Sequence, residues 1–334
     1  MTVINSRKCS EKYLNSTHET RFIYTAAGIA DCQKTITSVW VFSFFTTFAH
    51  IMYKKGLVLE GGALRGLFTA GVMDVLMEHG VSFDGLVGVS AGAAFGCNYK
   101  SRQAGRVIRY NKRFAHEWRY CSWRSWFTTG DIFGAEYCYH YLPEHLDVFD
   151  TKTFEMNPME FYAVCTDVQT GEAVYKRLME CDYDCYEYIR ASASMPLVSR
   201  IVRVGDELLL DGGVADSIPL EFFRRQGYSR NVVVLTQPEG YRKSHNRLMP
   251  LMRVALRKYP NMISALDRRH EMYNRQLDYV ARSEKQGDTL VIRPRRKLEI
   301  DHLSHSEDQM ETVYQQGVEE ARRRLSDIKA FLES

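Results

Sequence analysis

Ser90 is the residue of this sequence best placed for nucleophilic chemistry. It lies in the run Gly88-Val89-Ser90-Ala91-Gly92, which matches the G-x-S-x-G pattern of a nucleophile elbow. Such an elbow needs a short buried strand, a sharp turn and then a helix, and glycine tolerates the backbone angles of that turn. An idle serine in a tight strand–helix turn would give the same pattern, so the neighbouring elements must decide between the two interpretations.

A glycine-rich loop, Glu60-Gly61-Gly62-Ala63-Leu64-Arg65-Gly66, precedes this serine by one predicted helix. Its backbone N–H groups, at the positive end of the helix dipole, would suit the oxyanion formed when a serine attacks an ester. The N–H of Ala91 would be a further donor. Arg65 would either add charge or brace the loop. The competing interpretation is a dinucleotide-binding loop with Asp84 as its acidic residue, although Ala63 stands where that fingerprint needs glycine.

The hydroxyl of a serine needs a base before it can attack. Four histidines are available in the second half of the chain: His245, His270, His302 and His305. None lies in a recognisable loop at a strand end, so Asp211 is the stronger candidate, since it ends an apolar strand and opens the turn Asp211-Gly212-Gly213. A turn of this composition is often only a turn. We interpret Ser192 and Ser194 as packing or pocket-lining residues.

The elements around these residues predict a parallel crossover. Residues 56–59 and 85–89 have the pattern of short buried strands, and the segment between them that of a helix ending at Gly80. A β–loop–α–β unit closes right-handed with parallel strands, so the glycine loop and Ser90 would share the sheet edge where ligands bind. The remaining predicted elements are a hairpin at 161–177, strands at 207–210, 231–236 and 289–293, and helices at 248–282, interrupted at Pro260, and at 307–332.

Composition excludes several classes of protein. The 334 residues are 45% hydrophobic and 25% charged, with a net charge of +3, which is ordinary for a globular protein and provides no basic field for nucleic acid. The eight cysteines include no C-x-x-C pair, and the ten histidines are scattered. We therefore expect free thiols, no metal, no cofactor and a cytoplasmic location, with peripheral contact at the inner membrane as an open alternative.

Two segments raise the question of membrane contact. Residues 39–49 are apolar and aromatic but fall short of the ~20 residues of a spanning helix, and we interpret residues 1–52 as a poorly ordered extension rather than an anchor. Residues 102–124 hold seven basic side chains and one acid, Glu117, and Trp118, Trp123 and Trp126 lie at their end. This composition would suit an anionic membrane surface, but a basic helix face and a tryptophan-packed cap over the site is the favoured interpretation.

Four motifs in order give this sequence a family resemblance: "EGGALRG" (60–66), "GVSAG" (88–92), "ASASMP" (191–196) and "DGGVADSIP" (211–219). Together they resemble the patatin-like phospholipases, and the bacterial members in particular, over residues 55–240. Residues 241–334 resemble the helical tail of those bacterial proteins. The resemblance implies a three-layer α/β/α sandwich with a mainly parallel sheet, divided into a catalytic domain at 53–240 and a mainly helical C-terminal region at 241–334.

The resemblance also implies acyl-ester hydrolysis by a Ser-Asp dyad without a catalytic histidine. By motif, Ser90 would be the nucleophile and Asp211 the general base, and Gly61, Gly62 and Ala63 would shape the oxyanion loop. Ala63 is a departure, because the family usually has a third glycine there. The residues expected to support the site are Arg65, Gly66, Gly88, Gly92, Gly212 and Gly213.

The expected function is hydrolysis of lipid acyl esters, of phospholipids or lysophospholipids, with the lipid as the partner and the oligomeric state left open. Three alternatives remain at this point. The first is a general carboxylesterase or thioesterase with the same dyad. The second is a non-catalytic lipid-binding protein of the same fold. The third is a nucleotide-binding protein that uses residues 61–66.

Overall fold

Strands β1 (Lys54–Leu59) and β2 (Gly85–Val89) lie side by side at the centre of the sheet in a computed structural model, which describes residues 53–301 and 303–334. Helix α1 (Gly66–Glu78) joins the two strands, which pair in parallel. The predicted strand–helix–strand crossover is therefore confirmed. The predicted N-terminal extension and His302 lie outside the described residues.

The predicted hairpin, strands and C-terminal helices are present in the predicted order, and further helices and a short strand lie between them. The helices are α2 (Ala91–Lys100), α3 (Arg106–Arg113), α4 (Trp123–Thr129), α5 (Thr151–Met156), α6 (Tyr183–Ser192), α7 (Leu220–Arg225), α8 (Met249–Ala255), α9 (Pro260–Lys285) and α10 (Glu307–Glu333). The strands are β3 (Glu160–Asp167), β4 (Ala173–Arg177), β5 (Val202–Val204), β6 (Glu207–Asp211), β7 (Tyr228–Val234) and β8 (Thr289–Ile292). A π-helical segment covers Tyr137–Leu146. No helix within the described ranges is long and apolar enough to cross a bilayer.

The strands form one eight-stranded sheet in the order β5-β6-β3-β2-β1-β7-β8, with β4 paired to β3. The pairings among β1, β2, β3, β7 and β8 are parallel, whereas β3 pairs antiparallel with β4 and β6, and β6 with β5. Successive strand residues face opposite cores: Leu57 packs with helices α1, α2 and α10, and Val58 with α7 and α9. The predicted α/β/α sandwich with a mainly parallel sheet is confirmed.

Strand β3 brings the ends of β2 and β6 together. On one side of β3, β4 pairs from Tyr162 to Thr166. On the other side, β2 pairs with β3 as far as Val164, and the antiparallel β6 takes over at Cys165, which lies opposite Asp211. Strands β2 and β6 therefore meet end to end, and the residue after β2 becomes a neighbour of the last residue of β6.

Candidate active site

Ser90 occupies the sharp turn between β2 and α2. Its φ is 55° and its ψ −121°, a positive-φ conformation that residues other than glycine rarely adopt and that stores strain. The Ser90 N–H donates to the Ser192 Oγ at 2.9 Å, and the Ser192 hydroxyl donates to the Val164 carbonyl at 2.6 Å. Strand β3 and helix α6 thus hold the strained turn in place.

The glycine loop lies directly against Ser90. An added Cβ on Gly61 would lie 2.8 Å from the Ser90 Cβ and 2.8 Å from the Val89 carbonyl oxygen, so only glycine permits this approach. Ala63 stands where the family pattern has a third glycine. Its φ is 48°, so the alanine itself adopts the left-handed conformation. The Thr236 hydroxyl donates to the Gly61 carbonyl at 3.1 Å and braces the loop from the end of β7.

Four backbone N–H groups around Ser90 are available as donors. Within the described residues, the N–H groups of Gly61, Gly62, Ala63 and Ala91 donate to no acceptor. The first three lie where the chain enters the 3₁₀ turn Ala63–Arg65, which runs directly into α1, and the fourth is the first residue of α2. The start of a helix leaves N–H groups unpaired and adds a positive partial charge. The arrangement can therefore stabilise a negative oxygen placed next to the Ser90 hydroxyl.

Asp211 ends β6 beside this turn and is buried, with 3% of its surface exposed. Its N–H donates to the Ser194 carbonyl at 2.8 Å, and its Oδ1 accepts the Gly213 N–H at 2.8 Å. Burial raises the pKa of the Asp211 carboxyl, and this rise is opposed by Arg269, by a hydrogen bond from the Ser90 hydroxyl, by the Gly213 N–H and by Lys243. A carboxylate with a raised pKa is a stronger base toward a hydroxyl.

The supporting glycines lie at crowded positions. An added Cβ would approach another residue's atoms to 3.0 Å or less at Gly66, Gly88, Gly92, Gly212 and Gly213. At Gly92 the nearest such atom is the carbonyl oxygen of Leu59, 2.4 Å away. These contacts let α2 and the Asp211 turn lie close to the sheet edge that carries Ser90.

A cavity of about 970 Å³, its open mouth included, begins at Ser90. Ala63, Ser90 and Ala91 line it together, and its walls are mostly apolar and aromatic. The wall residues include Phe95, Tyr110, Tyr120, Phe133, Leu142, Phe149, Ile189 and Met195. The apolar and aromatic lining is that of a pocket for an organic ligand with a long apolar part.

The histidines considered as bases contact other parts of the molecule. His245 Nε2 lies 2.8 Å from Asp267 Oδ1, His270 Nδ1 lies 3.1 Å from the Asp267 carbonyl, and His305 bonds to the Ala115 carbonyl. None of these three lines the cavity at Ser90. Over residues 53–301 and 303–334, no group of three or more His, Cys, Asp or Glu side chains is arranged to hold a metal.

Asp84, the acid that a dinucleotide site would use, lies at the wrong end of the sheet. It precedes β2, and its Oδ2 accepts the Lys55 N–H near the start of β1 at 2.7 Å. The glycine loop follows the other end of β1, so the two parts of a nucleotide fingerprint do not meet. Burial raises the pKa of the Glu60 carboxyl, and the charge of Arg65, at the end of the loop, is among the contributions that oppose this rise.

Most of the basic side chains in residues 102–124 form contacts within the protein. Arg106 and Arg109 both bind Asp147, at 3.1 and 2.7 Å, and Lys112 binds Glu311 at 2.9 Å. Arg106 also lines the cavity. Two further contacts, Arg119 with Glu117 and Arg124 over the Trp118 ring, lie nearer the surface. The segment thus forms one wall of the cavity.

Comparison with known proteins identifies the family. A model described as patatin-like phospholipase matches residues 57–224, half of the chain. The chain belongs to the patatin-like phospholipase family. Membership confirms the resemblance and the predicted class of enzyme, the acyl-ester hydrolases. A second model, described as a domain of unknown function (DUF6363), matches residues 259–333.

Individual relatives resemble parts of this patatin-like chain. A lysophospholipase, NTE1 of Cryptococcus neoformans var. neoformans, is 28% identical over 204 residues, which cover 56% of this chain and 12% of that protein. The protein YjjU of Escherichia coli K12 is 30% identical over 203 residues, 54% of this chain and 52% of that one. VipD from Legionella pneumophila aligns in structure with a TM-score of 0.43 and 12% identity, covering 82% of this chain and 67% of VipD. The chain thus spans about half or less of these two sequence relatives.

Several residues that contact the patatin-like site cannot be identified from their own segments of the sequence. The sequence predicts a packing or pocket-lining role for Ser192, whereas in the structure its hydroxyl accepts the Ser90 N–H and holds the turn. Tyr273 donates to Glu60 Oε1 from helix α9, and Lys243 and Arg269 affect the pKa of Asp211. These contacts join residues far apart in the chain, so only the position of Ser192 in the "ASASMP" motif could have indicated its role.

Proposed function

We propose that this chain is a serine acyl hydrolase that cleaves phospholipid or lysophospholipid esters, with Ser90 as nucleophile and Asp211 as general base. The observation that carries the proposal is the position of Ser90. It lies in a strained turn, beside a buried carboxylate with a raised pKa, and it lines a mostly apolar cavity. The lysophospholipase name of the Cryptococcus neoformans relative supports the substrate class.

In the proposed reaction, Asp211 accepts the hydroxyl proton as the Ser90 Oγ bonds to the ester carbonyl carbon. The carbonyl oxygen becomes an oxyanion facing the N–H groups of the glycine loop and Ala91. The C–O bond to the lipid alcohol then breaks, the alcohol takes the proton from Asp211, and the acyl group stays on Ser90. Water next gives a proton to Asp211 and adds to the acyl carbon, and the Ser90 oxygen leaves with that proton as the fatty acid is released.

The apolar cavity next to Ser90 favours substrates with a long acyl chain over substrates with a small acyl group. Each buried methylene contributes about 0.8 kcal/mol, so a long chain gains binding that an acetyl group cannot. We expect a lysophospholipid with a long acyl chain to have a kcat/KM at least about tenfold above that of an acetate ester. Fatty acid release from matched substrates measures this ratio.

The same assay separates the alternatives. A higher kcat/KM for short-chain esters or for thioesters would favour the general esterase or thioesterase. Saturable lipid binding without turnover of any ester would favour a non-catalytic lipid-binding protein. Either outcome would contradict the proposal.

We also infer that the lipid reaches the site from a membrane surface next to helices α4 and α8. Phe127 and Trp123 are 77% and 58% exposed on α4, and Leu251 and Val254 are 55% and 67% exposed on α8. Residues 241–260 contain six basic side chains and no acid. Three of the six are exposed and form no ion pair within the described residues: Arg247, Arg257 and Lys258. Exposed apolar side chains among cations suit an anionic lipid surface.

The two helices adjoin one segment that leads to the cavity. The Trp126 indole N–H donates to the Leu197 carbonyl at 3.1 Å, and Leu197 packs against the core cluster that contains Met249 and Met252 of α8. Met195, two residues before Leu197, lines the cavity. A lipid surface that contacts both helices would therefore lie beside the cavity wall.

Leu251→Ser combined with Val254→Ser is expected to weaken binding to anionic vesicles roughly tenfold, because two exposed apolar side chains no longer enter the lipid. Turnover of a soluble short-chain ester should remain unchanged. Met156→Ser is the matched control, since Met156 is 73% exposed on α5. Vesicle co-sedimentation measures the effect, and equal binding by the double variant and the control would contradict this inference.

A further inference from the structure

Arg269 of helix α9 lies next to the proposed dyad. Its Nε donates to the Gly213 carbonyl at 2.5 Å. Its Nη2 and the Asp211 Oδ1 each lie 3.0 Å from the position that a Cβ on Gly213 would take. The guanidinium is half-buried at the turn that carries Asp211. A residue from the C-terminal region thus places a fixed positive charge at the dyad.

Lys243 adds a second cation from the segment before α8. Its backbone is fixed on both sides by Asn274, since the Lys243 N–H donates to Asn274 Oδ1 at 2.9 Å and the Asn274 amide donates to the Lys243 carbonyl at 3.0 Å. Its Nζ lies 4.9 Å from the centre of the Tyr273 ring, and the Tyr273 hydroxyl donates to Glu60, the residue before Gly61. This network joins Lys243 to the glycine loop.

Neither cation is neutralised by a direct ion pair. In the described part of the chain, Lys243 and Arg269 have no carboxylate oxygen within 4.0 Å, whereas the neighbouring Arg242 and Arg253 pair with Asp278 and Asp267. A half-buried cation without a close counter-charge is destabilising unless an anion compensates it. Neither lines the apolar cavity, so the positive charge and the space for an acyl chain occupy different parts of the site.

We propose that Lys243 and Arg269 bind the phosphate of the substrate headgroup while the acyl chain occupies the cavity at Ser90. The inference rests on the proposed function and makes it more specific, because it selects phosphate-bearing lipids over neutral acylglycerols. Arg269 supplies planar guanidinium donors and Lys243 a compact charge, the two types of group that recognise phosphate oxygens. Free phosphate has the same chemistry, and the test separates the two sources.

The charge on Lys243 gives the selectivity a pH dependence. Burial lowers the Lys243 pKa to about 8, Arg269 and Arg65 lower it as well, and Glu60 and Asp211 raise it. The ammonium is charged below this pKa and neutral above it. Preference for the phosphate lipid is therefore expected to fall as the pH rises through 8, and to be flat over this range in Lys243→Gln.

The test compares a lysophosphatidylglycerol with a monoacylglycerol of the same acyl chain. In Lys243→Gln, the ratio of the two kcat/KM values, phosphate lipid over neutral lipid, is expected to fall about tenfold, because a charge-assisted contact to phosphate is lost. Lys243→Arg should restore most of the ratio. Lys285→Gln, at an exposed lysine at the end of α9, is the control and should leave it unchanged.

Two results would overturn the headgroup assignment: an unchanged ratio in Lys243→Gln, or an equal fall in both kcat/KM values, as expected if Lys243 acts only on Asp211. Inorganic phosphate should compete with the phosphate lipid in the wild type and less in the variant. Competition by phosphate without any preference for the phosphate lipid would mean a site for free phosphate and would also overturn the assignment. Failure of the proposed function looks different, since the wild type would then hydrolyse neither lipid.

Discussion

Ser90→Ala is expected to lower kcat for lipid ester hydrolysis by about 10⁴-fold or more, because it removes the oxygen that attacks the ester. The fold should remain intact. The substitution deletes one atom at a turn whose positive φ an alanine can adopt, as Ala63 does at 48° in the neighbouring loop. The hydrogen bond to the Ser192 Oγ is donated by the backbone N–H of residue 90, so it survives the substitution. Fatty acid release and thermal unfolding measure the two effects.

Ser326→Ala is the matched control for this experiment, since Ser326 is exposed on α10, far from the site in sequence. It should keep both the wild-type rate and the wild-type melting temperature. Retained turnover in Ser90→Ala, at a rate within tenfold of wild type, would show that another group attacks the ester.

Asp211→Asn is expected to lower kcat by about 10³-fold or more, because an amide cannot accept the serine proton. The geometry should persist, since the amide oxygen can still accept the Gly213 N–H that now binds the carboxylate. The rate is measured on a neutral ester so that headgroup binding does not enter.

The pH profile of the wild type is a second measurement of the same residue. Only the ionised carboxylate acts as a base, and burial raises the Asp211 pKa above its usual value of 3.8. The kcat/KM should therefore rise with pH through a midpoint above 3.8, and this rise should be absent in Asp211→Asn. A mild effect of Asp211→Asn, with a large loss in His245→Ala, His270→Ala or His305→Ala, would instead support a histidine base.

The sequence predicts the part of the site that depends on local patterns. Ser90 lies in a strand–turn–helix unit within one short segment, and the same holds for the glycine loop and the Asp211 turn. The crossover from residues 56–59 to 85–89 also predicts the parallel pairing of β1 and β2, because such units close right-handed. Local sequence patterns do not indicate that β2 and β6 meet end to end alongside β3. This arrangement follows from the register of the β2–β3 and β3–β6 pairings.

The site residues that local patterns do not predict reach the site through contacts between distant parts of the chain. Lys243, Arg269 and Tyr273 reach the site from residues after the matched patatin region, which ends at 224. Nothing in their own segments marks them, because a lysine or arginine in a helical tail is usually a solvated surface residue. Arg106 is a similar case, since its place in a basic segment does not reveal that it binds Asp147 and lines the cavity.

Labelling with a fluorophosphonate probe tests the central claim, that Ser90 is the nucleophile, most directly. The probe bonds to an activated serine oxygen, and peptide mapping by mass spectrometry locates the adduct. We expect one adduct per chain, on Ser90, slowed by a long-chain lysophospholipid and absent in both Ser90→Ala and the acid-denatured protein. An adduct on Ser192 or Ser194, or no adduct on the native wild type while it hydrolyses lipid, would contradict the account.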